Sequence, residues 1–398
     1  MKYSINSKVL ADALARCTTV SDGYVITFTN RPACEDGSQI FTTITACTTS
    51  GISAMSSITV AVTKCDDAAK AVTDAQKLIV GTDFAEAAKA LCKAGDTVTF
   101  TLKDNLLELS YGDAKVEVSC KDRVASFAVK SPRKDSFAKF QVETKEWKRI
   151  IQQSGFCFGA FDETSPKAAF NSIFLLPCIV GEGFGIRSCS ANGYYGSSSY
   201  CVVKEADDAF AEMVHASKGF LVPPAMLKAL TSVLKGDTVT VFVFDNQLMF
   251  RDGNDVFATV LASGDFPIFL LTMMDNTECS YSLKADTSDL KVALEIVSVN
   301  CKDANKSTMK LAINDSGVTL FAQETANKAP VKAETEGAIE IGICIKQLKE
   351  LIASGITEVN QVTVCGKDDS SIIHVRGGHC NAFTLPILLS AESTDTEE

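Results

Sequence analysis

One pattern occurs three times along this chain. The clearest copy runs from Gly219 to Pro267, GFLVPPAMLKALTSVLKGDTVTVFVFDNQLMFRDGNDVFATVLASGDFP. It reads as a short strand, an amphipathic helix and alternating strands joined by tight turns. A looser copy begins at Lys77, KLIVGTDFAEAAKALCKAGDTVTFTLKDNLLELSYGDAKVEVSC. A third begins near Ala338, AIEIGICIKQLKELIASGITEVNQVTVCGKDDSSIIHVRGGHCNAFTLP. The copies lie more than about 100 residues apart, so the repeated unit is a domain and not a solenoid turn.

Each copy has a preceding half with its own helical segment: 7–17, 145–155 and 287–297. Apolar residues recur there at helical spacing, as Val9, Leu10, Ala13 and Leu14, then Trp147, Ile150 and Ile151, then Leu290, Ala293, Leu294 and Val297. The later halves supply helices at 83–93, 225–235 and 344–354. Thr144 and Asp83 stand where N-caps are expected, and Pro223-Pro224 suits a helix start. After each later helix come β-branched, period-2 runs around turn residues, Lys103-Asp104-Asn105 in one copy and Asp245-Asn246 in another.

The expected fold class is therefore α+β. Three tandem domains each place two helices on one face of antiparallel sheets, in two β-α-β-β-β halves. A chain of 398 residues suits about three domains. The expected boundaries are 1–131, 132–275 and 276–389, near Ser131-Pro132 and Asn276-Thr277, with an acidic tail at 390–398 that is expected to be disordered.

Composition removes several classes. No run of about 18 apolar residues occurs, and MKYSINSKVLADAL has no continuous apolar segment, so neither a membrane span nor a signal peptide is expected and the cytoplasm is. Fifteen cysteines include no C-x-x-C, and His215, His374 and His379 do not join them at zinc spacing. The cysteines read as small buried hydrophobes in a reducing compartment. Gly181-Glu-Gly-Phe-Gly185 opens no helix and reads as a hairpin turn; Asp252 and Asp255 read as turn chemistry. No G-x-S-x-G, H-E-x-x-H or P-loop is present. No catalytic residue, metal or cofactor is expected.

The net charge of −11 favours solubility and, by itself, argues against nucleic acid. Its distribution says otherwise. The six helical windows hold twelve basic residues, Lys8, Arg16, Lys89, Lys93, Lys145, Lys148, Arg149, Lys228, Lys235, Lys291, Lys346 and Lys349, against seven acidic ones. They carry +5 and leave −16 to the rest of the chain. Lys228 and Lys235 share the face opposite Leu227, Leu230 and Leu234, and Lys346 and Lys349 lie opposite Ile345, Leu348 and Ile352. Such helix faces suit sequence-independent phosphate contacts; no pattern for reading bases accompanies them.

At LVPPAMLKALTSVL, SGDFP (263–267), EIGICIKQLKELIAS and the strand Asn381–Ile387, the chain resembles the bacterial-type DNA sliding clamp, the beta subunit of DNA polymerase III. The resemblance covers the whole chain and is weakest over residues 30–75, and Ala125-Ser-Phe127 stands where the second copy has Asp265-Phe-Pro267. It implies a head-to-tail homodimer that closes a ring, with helices lining the hole around double-stranded DNA. It further implies an apolar pocket for peptides of the DNA polymerase, the clamp loader and other partners. Carried over by position, the walls are Phe170; Ala191, Gly193, Tyr194 and Tyr195; Pro267, Leu270 and Leu271; and Phe383, Leu385, Pro386, Ile387 and Leu388.

The chain departs from the family pattern at the second wall, where Thr-Asp-Gly-His-Arg-Leu keeps only its glycine, as Gly193. Arginines typical of the third and fourth walls are leucines here, and the acidic tail is an addition. The leading expectation is a non-catalytic processivity clamp without a membrane partner. The alternative is a clamp-like scaffold that binds partner peptides without encircling DNA; a cysteine-based enzyme has only composition behind it.

Overall fold

The computed structural model describes residues 2–17, 23–33, 37–48, 54–65, 76–103, 106–120, 138–158, 168–276, 278–301, 307–356 and 359–389. The expected turn at 104–105, the segment 125–127, the boundaries at 131–132 and 277 and the tail 390–398 lie outside the described residues.

Six β-α-β-β-β halves follow one another. The first is β1 (Lys2–Asn6), α1 (Ser7–Arg16), β2 (Gly23–Ala33), β3 (Gly37–Thr48) and β4 (Ala54–Ala61), followed by the short β5 (Lys64–Cys65). The second is β6 (Gln76–Val80), α2 (Asp83–Ala94), β7 (Thr97–Lys103), β8 (Leu106–Tyr111) and β9 (Ala114–Ser119). The third is β10 (Ala138–Glu143), α3 (Thr144–Ser154), β11 (Ile173–Val180), β12 (Gly183–Ala191) and β13 (Tyr195–Val202), with β14 (Glu205–Ala206) and α4 (Asp208–His215) after it. The fourth is β15 (Phe220–Val222), α5 (Pro224–Ser232), β16 (Thr238–Val243), β17 (Gln247–Asp252) and β18 (Asp255–Val260), followed by α6 (Phe269–Asp275). The fifth is β19 (Tyr281–Asp286), α7 (Thr287–Ser298), β20 (Thr308–Asn314), β21 (Gly317–Ala322) and β22 (Lys328–Val331), with β23 (Ala333–Glu336). The last is β24 (Ile339–Cys344), α8 (Ile345–Glu350), β25 (Gln361–Gly366), β26 (Ile373–Gly377) and β27 (Cys380–Thr384).

Local sequence explains these elements. Leu10, Ala13 and Leu14 give α1 its buried stripe, and Asn6 caps it by accepting from the backbone N–H groups of Lys8 and Val9 at 3.0 and 3.2 Å. On α5, Leu227 and Leu230 define the buried side, with Leu234 buried just after it, and Pro224 is the first helical residue. Each such buried leucine contributes about 1.5–3 kcal/mol of apolar burial. Two expected caps differ. Thr144 is already inside α3 with its hydroxyl unpaired, and Thr82 rather than Asp83 precedes α2. Gly181 takes a left-handed φ of +59° in the turn between β11 and β12, as the glycine-rich segment requires.

Among the described residues, the strands form four antiparallel sheets, ordered β5-β1-β7-β8-β9, β14-β10-β16-β17-β18-β4-β3-β2-β6, β15-β11-β12-β13-β27-β26-β25-β19-β23 and β22-β21-β20-β24. Both nine-stranded sheets join different repeats. One does so where β18 pairs with β4, Phe257 opposite Ser56; the other where β13 pairs with β27, Ser197 opposite Ala382. Equivalent single bridges occur in all three repeats, Val80 with Cys120, Leu221 with Ala262 and Gly342 with Ile387.

The chain forms two compact units. One comprises Met1–Thr144, Lys204–Phe210 and Ala225–Leu261; the other comprises Lys145–Val203, Ala211–Pro224 and Ala262–Glu398. The division passes through the second repeat because its two sheets are each shared with a different neighbour along the sequence.

Candidate nucleic-acid interface and peptide-binding surface

Ten of the twelve helical cations keep contact with solvent. In the first unit, Lys8 is exposed on α1, Lys89 and Lys93 are exposed one turn apart on α2, and Lys228 and Lys235 are exposed on or just after α5. Lys235 forms an exposed ion pair with Asp12 of α1. In the second unit, Lys145 and Lys346 are exposed, while Lys148, Lys291 and Lys349 are half-buried. Lys349 Nζ donates to Ser298 Oγ at 3.1 Å, and Lys346 lies 3.9 Å from Glu350.

The two arginines do something else. Arg16 is buried, with its guanidinium held by Asp252 at 3.2 Å, Asp255 at 2.5 Å and the carbonyl of Val233 at 3.0 Å. The same aspartates organise their turn: Asp252 accepts from the N–H groups of Lys235 and Gly236, and Asp255 accepts from that of Thr59. Arg149 is buried too. It donates to Glu146 at 2.7 Å, Gln153 at 2.7 Å, Ser199 at 2.9 Å and the carbonyl of Tyr200 at 2.7 Å. That hydrogen bond from Arg149 is the main reason the Glu146 carboxyl is held below the usual carboxylate range. Arg16 and Arg149 therefore leave the phosphate-contact set: their donors are spent inside the fold.

Six of the thirteen expected pocket residues meet in one apolar cluster of the second unit. Ala191, Leu270, Leu271 and Phe383 are buried in it, and Phe170 and Leu385 pack against it half-buried. Sequence reasoning missed the stacked pair at its centre, Phe174 and Phe266, with ring centroids 4.5 Å apart and planes 2° apart. Met274 and Leu221 complete the floor. Phe266 lies in SGDFP, a segment that carries the resemblance to the clamp family; nothing local marks Phe174 as its partner.

Tyr194 is 66% exposed and Leu388 is 87% exposed. Gly193 is exposed and Pro267 and Pro386 are half-buried. The Leu385 N–H donates to the Tyr194 carbonyl at 2.9 Å, which fixes the second wall against the C-terminal strand. Tyr195 is a correction. It is buried in a different core cluster and donates its hydroxyl to Glu350 at 2.5 Å, so it braces α8 and offers no surface to a peptide. Ile387 is also drawn away, its N–H bonded to the Gly342 carbonyl of β24 at 2.8 Å.

Among the described residues, no cluster of metal-ligating side chains occurs, and no helix is long and apolar enough to cross a membrane.

Antiparallel sheets built from repeated β-α-β-β-β halves, with helices bearing lysines, define a clamp-type fold. No protein-family model matches the sequence, and no curated protein matches it. Solved structures do. The DNA polymerase III beta chain of Streptococcus pneumoniae superposes with a TM-score of 0.75 at 17% identity, covering 98% of this chain and 100% of that one. The DNA polymerase sliding clamp of Bacillus subtilis gives 0.73 at 17%, covering 98% and 99%. The DnaN sliding clamp of Pseudomonas aeruginosa, solved bound to griselimycin, gives 0.75 at 14%, covering 98% and 100%. The chain has the fold of the bacterial DNA sliding clamps.

Proposed function

We propose that the protein is a DNA sliding clamp. Two copies join head to tail, encircle duplex DNA and tether a DNA polymerase and a clamp loader by short apolar peptides. The role is non-catalytic: enclosure retains the DNA, and weak phosphate contacts from the ten lysines leave the ring mobile.

One observation carries this reading. In both inter-repeat junctions, the last strand of a first half pairs with the last strand of the next repeat's second half, as β4 with β18 and β13 with β27. Among the described residues, the same rule leaves two strands over, β22 and β9, and each is the edge of its sheet. A second copy supplies the missing partner for both. Beside β22, Val292 and Ile296 of α7 and Val299 just after it are exposed, and a cavity there is lined by Val292, Ile296, Pro330 and Val331 with Asp289 and Lys332. Beside β9, Val116 and Tyr111 are exposed. Free strand edges flanked by apolar side chains are costly in a monomer, which supports their burial between copies.

The test is retention on DNA after loading. Purified protein stays on closed circular DNA through a high-salt wash and is lost once the circle is linearised. Equal retention on both forms, or capture of partner peptides with no DNA retention at all, rejects the clamp in favour of a scaffold.

A further inference from the structure

The connector between α6 and β19 carries a second kind of chemistry. Cys279 is exposed and its Sγ lies 2.8 Å from that of Cys365, a buried residue of β25. The approach is built by the backbone. Arg376 of β26 donates to the Asn276 carbonyl, the Glu278 N–H donates to Asn276 Oδ1 at 3.1 Å, and the Ser280 N–H donates to the Gly366 carbonyl at 2.7 Å. Both ends of the connector are thus held on the β25–β26 hairpin, with the two sulfurs between them. A gap of less than about 1 Å separates this arrangement from the roughly 2.0 Å of a disulfide bond.

We propose that Cys279 and Cys365 form a reversible dithiol–disulfide site, oxidised by small-molecule disulfides such as oxidised glutathione. The order of events follows from exposure. The Cys279 thiolate attacks one sulfur of the oxidant, forming a mixed disulfide and releasing one thiolate with its electron pair. Cys365 then loses its proton and attacks Cys279 Sγ, forming the protein disulfide and expelling the second small thiol. Two protein thiols are oxidised and one oxidant disulfide is reduced to two thiols. Cys365 does not start the reaction: burial, then contact with Cys279, pushes its thiol up to about 12. The bond would tie the connector to β25. It would thereby fix the exit of α6, whose Leu270, Leu271 and Met274 floor the apolar cluster.

The test treats the full-length, folded protein with oxidised glutathione, blocks remaining thiols and maps peptides without reduction. The expected product is a Cys279–Cys365 cross-linked pair that dithiothreitol releases. In Cys365→Ser, glutathione stays on Cys279; in Cys279→Ser, Cys365 remains unreacted until the protein is unfolded. Persistent glutathione on Cys279 of the unaltered protein, with Cys365 still free to be alkylated after denaturation, overturns the proposal. So does equal oxidation of Cys365 without Cys279. The cross-link in unaltered protein decides the matter even if a variant fails to fold.

Discussion

Arg16 Nη1 lies 2.5 Å from Asp255 Oδ2, joining the last turn of α1 to the turn between β17 and β18. Both side chains are largely buried, and Asp252 adds a second carboxylate at 3.2 Å. Removing the guanidinium leaves two carboxylates without their cation. Arg16→Ala is expected to cost about 3–5 kcal/mol of stability, read by urea denaturation. Asp255→Asn keeps the hydrogen-bonding shape and costs less. Neither change should alter the salt dependence of DNA binding by the folded protein.

That pair also marks the limit of what local sequence carries. Helices and hairpins are legible because each rests on spacing within a single element, as with Leu227 and Leu230, and the threefold repeat because its copies share that local spacing. The fate of Arg16 was not, because its partners are 236 and 239 positions away and reach it through the β4–β18 pairing. Counting charge on helices treats every cation as exposed, and so mistook Arg16 and Arg149. The pocket shows the same division. Phe383 and Leu271 could be carried over by position, whereas Phe174 against Phe266 is a tertiary contact with no periodic signal. Tyr195 was misread because adjacent tyrosines in a turn point to different places: Asn192 Oδ1 accepts from both backbone N–H groups, yet one ring is exposed and the other buried.

Charge reversal separates surface cations from structural ones. Lys89→Glu, Lys93→Glu and Lys228→Glu alter exposed side chains and should leave the fold intact. Each phosphate contact removed should lower the slope of log K against log salt by about 0.9. Loading assays over a salt series read this. An unchanged slope with unchanged polymerase processivity would remove these lysines from the interface.

Dimerisation should depend on the apolar face beside β22. Val292→Glu with Ile296→Glu places two charges on positions 55% and 45% exposed in the single chain. The subunit is expected to remain folded by circular dichroism while its mass in solution falls from twice 42.5 kDa toward one chain. A dimer of undiminished affinity would place the contact elsewhere.

Peptide binding should follow the exposed rim and ignore the buried tyrosine. Tyr194→Ser and Leu388→Ser each remove an exposed apolar side chain from an expected wall of the pocket. Each is expected to weaken a partner's apolar peptide by about 1 kcal/mol or more, roughly fivefold, in fluorescence polarisation. Tyr195→Phe deletes the bond to Glu350 and should lower stability by about 1.5–3 kcal/mol with little change in peptide affinity. Loss of binding in Tyr195→Phe alone would reverse this assignment.

Acid sensitivity should be traceable to His374. It is buried on β26, its Nδ1 has no hydrogen-bond partner, and burial, aided by the nearby Arg376 charge, lowers it from 6.5 to about 4. Between those values the unfolded chain takes up a proton that the native one refuses. This contribution to stability is therefore fully present above pH 6.5, declines as pH falls toward about 4, and is flat below. The whole span amounts to about 3 kcal/mol. His374→Leu keeps an apolar side chain in that site and removes the proton uptake. Urea midpoints from pH 7 to pH 4 should fall less steeply in the variant than in the parent. Parallel pH profiles would mean that His374 is protonated in the native protein.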